Sequence, residues 1–171
     1  MRNQKGFTLI ELIIVIVVLG ILAVTAAPQF FNFSGDARTS TVKGLKGNIQ
    51  GAYQTVYAKA AVDGKLGGTT SSQTDVNGVS TVAGYPAAVN EAADDVAANG
   101  IIKAASLSDD DWDWGVSANS ATDTIVIAPQ GYSVDDTATT GDSINCYVTY
   151  QQTTDANTPP TVTAVTTGCG N

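Results

Sequence analysis

Histidine is absent from all 171 residues. That absence removes Ser-His-Asp and Cys-His nucleophilic arrangements, and with them the imidazole ligands of most zinc sites. Cysteine is scarce as well: Cys146 and Cys169 are the only two, too few for a thiolate metal centre. Positive charge nearly disappears after the first third. Residues 66–171 hold one basic side chain, Lys103, against thirteen acids (net −12), whereas residues 1–65 hold seven against three (net +4). A region this acidic repels DNA and anionic lipid, so nucleic acid is not expected as a partner. The paired carboxylates Asp94-Asp95 and Asp135-Asp136 lie in polar segments that read as solvated surface, which leaves a glycosidase without support. No enzymatic activity, cofactor or metal is expected.

Long apolar runs are missing too, with one exception. Residues 12–24 pass without a single polar side chain. Just before them, in Lys5-Gly6-Phe7-Thr8-Leu9-Ile10-Glu11-Leu12, stands a carboxylate. A charge inside such a segment costs several kcal/mol unless something pairs with it, so Glu11 reads as functional. Its most obvious partner is an α-ammonium, created if the chain is cut between Gly6 and Phe7. Residues 7–27 are long enough as a helix to cross about 30 Å of hydrocarbon. An ordinary signal peptide is the plainer alternative, with Arg2 and Lys5 as its basic region and Val24-Thr25-Ala26 as a tolerable cleavage site. Glu11 within the apolar run and Pro28 beside that cut argue against it.

Gly6-Phe7-Thr8-Leu9-Ile10-Glu11, the apolar run, Gly20 and Pro28 resemble the N-terminus of a type IV prepilin. The resemblance implies a leader, residues 1–6, removed by a prepilin peptidase, and N-methylation of the new N-terminal Phe7. It also implies a precursor held in the inner membrane, then assembled by the pilus machinery there into a homopolymeric helical fibre at the cell surface. In the fibre, the segment between Gly20 and Pro28 would lose helicity; sequence alone offers two weak points, a glycine and a proline without an N–H. Thr25-Ala26-Ala27-Pro28, Lys43-Gly44-Leu45-Lys46 and Gly84-Tyr85-Pro86 are similar to mannose-sensitive haemagglutinin (MSHA) pilins, which implies an adhesive major subunit. Two rivals stay open: a pseudopilin of type II secretion and a low-abundance, carbohydrate-binding tip pilin.

Cys146 and Cys169 read as a disulfide rather than two buried thiols. Such a bond places the C-terminal part in an oxidising compartment and is worth roughly 3 kcal/mol for a loop of about 24 residues. Helical periodicity continues past Pro28 through Phe30, Phe33, Ala37, Thr41, Leu45, Ile49, Ala52, Val56 and Ala60, and Asp63-Gly64 offers a stop. A helix over 7–62 follows, with 7–27 as its spanning or fibre-core half. Gly35, Gly44, Gly47 and Gly51 make sense in it if another backbone packs close. Residues 63–171 form a head: a loop with a short strand over 66–83, a helix over 86–98, and strands over 113–117, 124–128, 144–151 and 161–167. The class is α+β, a long helix on an antiparallel sheet. Asp109-Asp110-Asp111-Trp112-Asp113 invites a calcium reading, but an EF-hand alignment puts Trp114 where glycine is required. A solvated acidic turn anchoring two tryptophans is the better account.

Overall fold

In the computed structural model the described residues are 6–69, 72–88, 99–117, 124–132, 134 and 145–170, without the side chains of 26–32, 116 and 117. Helix α1 covers Leu9–Val62, 54 residues in one unbroken run. It starts two residues later than the sequence pattern suggests because Thr8 is the N-cap, its hydroxyl accepting from the backbone N–H of Glu11. It ends as expected. Asp63 is the C-cap, and Gly64 follows with φ 68°, a left-handed conformation that favours glycine.

Two antiparallel sheets complete the α+β head. The first, in order β1-β2-β3, comprises β1 (Thr74–Val76), β2 (Val79–Val82) and β3 (Tyr85–Pro86). The second, β4-β5-β6-β7, comprises β4 (Trp112–Ser117), β5 (Thr124–Pro129), β6 (Tyr147–Gln151) and β7 (Thr161–Val165). All four strands of the second sheet fall within two or three residues of the sequence expectation. The first sheet differs: residues 66–83 hold a hairpin rather than a loop with one strand. Its turn is Asn77-Gly78, both at positive φ, and the Gly78 N–H donates to the Asp75 carboxylate at 3.0 Å. This is the two-residue turn whose twist matches paired strands.

Pro86, expected to open a helix, instead closes β3, pairing with Thr81. The rest of that expected helix, 89–98, lies outside the described residues. A four-residue helix, α2 (Ile101–Ala104), begins directly after Asn99-Gly100.

The core lies where one face of α1 meets the larger sheet. Val42, Leu45, Ile49 and Tyr53 pack with Ile101, Ile125, Ile127, Val148 and Tyr150. Burial pushes the Tyr150 phenol well above its usual pKa, so it remains a neutral donor, to the Pro86 carbonyl at 2.6 Å. The helix stripe therefore runs through Val42 and Tyr53 rather than Ala37 and Thr41, which are exposed. Phe33 is 62% exposed; Phe30 is outside the described side chains. The reason is geometric. Among the described residues the head meets this end of α1 at Gly35, where Gly170 lies against it: a Cβ built on Gly35 would stand 2.8 Å from the Gly170 Cα. Of Gly35, Gly44, Gly47 and Gly51, Gly35 is the one answered by a neighbouring backbone. Gly44, Gly47 and Gly51 have nothing within 4 Å of a built Cβ.

Candidate assembly surface

Gly6 and Phe7 precede α1 in non-helical backbone, and Phe7 is 85% exposed. The bond expected to be cut is thus presented outside regular structure, with a glycine on its N-terminal side. Thr8 and Glu11 form a reciprocal capping box. Glu11 Oε2 accepts from the Thr8 backbone N–H at 2.8 Å and from the Thr8 hydroxyl at 2.7 Å. The Glu11 N–H donates to Thr8 Oγ1 at 3.4 Å. Sequence reasoning assigned Glu11 an ammonium partner and passed over this nearer one, although Thr8-x-x-Glu11 before an apolar run is the sequence signature of the motif. In the single subunit the carboxylate satisfies orphan donors at the helix start, where the helix dipole also favours negative charge.

Beyond Glu11 the helix is bare. Every large apolar side chain over residues 9–24 is between 46% and 76% exposed. Gly20 leaves an apolar notch between Ile16, Val17, Ile21 and Val24, with nothing within 4 Å of a built Cβ. So long an apolar stretch standing free in water is unfavourable, at about 25 cal/mol per Å². Something must cover it.

A membrane span over 7–27, as expected, is not met: among the described residues no helix is long and apolar enough to cross a membrane. Nor is α1 interrupted between Gly20 and Pro28 in the single subunit. The local weakness is nonetheless visible. The Thr25 hydroxyl turns back to the carbonyls of Leu22 (3.0 Å) and Ile21 (3.5 Å), a contact that tends to bend helices. Three residues on, Pro28 supplies no N–H.

At the other end of the chain, Cys146 and Cys169 form a disulfide, S–S 2.03 Å, with both residues buried in the core. The bond ties the start of β6 to the C-terminal turn that meets Gly35. The acidic turn before β4 behaves as solvated surface. Asp109, Asp110 and Asp111 are exposed, and Gln130 holds the turn through the carbonyls of Asp109 (2.7 Å) and Asp111 (2.9 Å). Among the described residues no cluster of three or more histidine, cysteine or acidic side chains could hold a metal ion. Asp94, Asp95, Asp135 and Asp136 lie outside the described residues.

Residues 1–27 match the prokaryotic N-terminal methylation motif. The chain is 42% identical over 71 residues to the type IV major fimbrial protein FimA of Dichelobacter nodosus, 40% of this chain and 46% of that protein. It is 42% identical over 65 residues to a fimbrial protein of Pseudomonas aeruginosa, covering 38% of this chain and 40% of that one. It is 44% identical over 59 residues to the type IV narrow pilus major component PilA5 of Thermus thermophilus, covering 33% and 51%. No solved structure is similar. The matched stretch spans about half the length of these relatives or less. Their names are those of structural fimbrial and pilus subunits, not enzymes. The resemblance to type IV pilins read from Gly6 to Glu11 is borne out; these matches do not bear on the MSHA subtype.

Proposed function

With the N-terminus of a type IV pilin as premise, we propose that this chain is the major structural subunit of an adhesive, MSHA-like type IV pilus. Residues 1–6 are the leader, removed by a prepilin peptidase between Gly6 and Phe7, and Phe7 is then N-methylated. Residues 7–62 are the polymerising helix, and 63–171 the head. Before assembly the precursor rests in the inner membrane with its apolar half sheltered by lipid. The assembly machinery then moves it into a fibre, where the same half packs against those of neighbouring copies. On arrival, Glu11 pairs with the Phe7 ammonium of an adjacent subunit. In a dry fibre centre each charge alone is a costly buried ion, so the pair selects register more than it adds net stability.

One observation carries this reading: the free-standing run of apolar side chains over residues 9–24, held on a helix capped by Thr8 and Glu11. Such a surface suits a polymer of like helices. The buried disulfide favours an exported, durable subunit. Copy number in sheared surface fibres is the discriminating experiment. A major subunit dominates the sheared protein. A tip pilin would appear there at trace level, and a pseudopilin would stay with the cell body.

A further inference from the structure

Beside α2 the head carries an open cleft of about 660 Å³. Ile102, Leu107 and Trp114 give it apolar walls, and Ser106, Ser108 and Asp109 supply the polar edge. Asp110 and Asp111, the next two residues after Asp109, are exposed. Lys103 is the opposing charge, and its ammonium stands over the β1–β2 turn, 3.0 Å from where a Gly78 Cβ would be. An aromatic wall beside carboxylates is suited to the stem and ammonium of a basic side chain: apolar contact for the methylenes, and cation–π and Coulomb attraction for the head group.

The same chain offers such side chains elsewhere. Lys43 is exposed and Lys46 half-buried on α1. Among the described residues the ion pair present is Lys59 with Asp63, at 2.7 Å. Neither lysine serves its own cleft. Asn48 marks the flank of α1 that meets the α2 region, donating to the Ala105 carbonyl at 2.9 Å. At about 100° per residue, Lys43 and Lys46 project some 140–160° around the helix from that flank.

We propose that the cleft between α2 and β4 receives Lys43 and Lys46 of a second copy of this chain, an inference that rests on the fibre reading above and adds a contact between heads and helices to it. The charge asymmetry argues for that occupant: residues 7–65, which remain once the leader is removed, hold five basic side chains against three acids (net +2), and residues 66–171 are net −12. So does the placement. Socket and plug sit on different faces of one subunit, so the contact is heterologous, and such a contact generates an open helical fibre wherever its rotation does not close into a ring. Each pair alone is worth little in water, but wrong-sign charges meeting at every added subunit would select strongly against addition.

Charge reversal in the full chain, in cells that make fibres, tests the contact. Sheared-fibre yield is read beside total and leader-cleaved subunit on immunoblots, so that misfolding is separated from failed assembly. Lys43→Glu with Lys46→Glu should lower fibre yield by about tenfold at unchanged subunit level, and Asp109→Lys with Asp110→Lys should do likewise. Combining all four should restore most of the yield. Wild-type yield from either double variant, or no recovery in the combination, would overturn the proposal while wild-type fibres in the same experiment leave the assembly reading standing. Absence of the wild-type chain from fibres would remove both.

Discussion

Glu11 has one role in the structure and, under the proposed function, a second. In the lone subunit it closes the helix start through Thr8; in a fibre it is poised one helical turn from the N-terminus that cleavage would create. Binding through Oε2 fixes its position at the first turn of α1, so a neighbour's ammonium would meet an ordered partner. Replacing it with glutamine removes the charge while keeping the shape. Co-expressed with wild type, Glu11→Gln subunits should lose their leader normally yet be poorly represented in fibres; equal incorporation would refute the intersubunit pair. The weight of Glu11 was legible because an acid among thirteen apolar neighbours has no ordinary place. Its attachment to Thr8 was equally legible, being local and of fixed spacing. The exposure of Phe33 was not, since it depends on where Gly170, more than a hundred residues away in sequence, is seated on α1.

At the scale of elements, α1 was readable almost to the residue because its periodicity and its Asp63-Gly64 stop are local signals. The strands β4 to β7 were readable too, β6 most clearly, because Val148 and Tyr150 alternate with Tyr147, Thr149 and Gln151. The first sheet escaped because its strands are two to four residues long, too short for periodicity, which left Asn77-Gly78 as the usable clue. The helix glycines look alike in sequence and differ in space. Gly35→Ala must force the Gly170 backbone away, costing about 1–3 kcal/mol and outweighing a helix-propensity gain of about 1 kcal/mol. Gly44→Ala meets nothing and keeps the gain. Thermal unfolding of the full chain in detergent should therefore show a lower midpoint for Gly35→Ala and a higher one for Gly44→Ala. Equal shifts for the two would mean that the C-terminal turn is not seated on α1.

Over the whole molecule, two surfaces ask for partners and lie at different places: a bare apolar helix half and an aromatic-walled cleft, on a different face from the Lys43–Lys46 flank of α1. Under the proposed function such a chain is incomplete alone and complete in register with copies of itself. The account stands or falls on how that chain begins once it reaches the surface. N-terminal sequencing and intact mass of the subunit in sheared surface fibres read this directly. The expected result is a chain beginning at Phe7, heavier by one methyl group, with its two cysteines oxidised. A chain beginning at Ala27, or one still carrying residues 1–6, would contradict it.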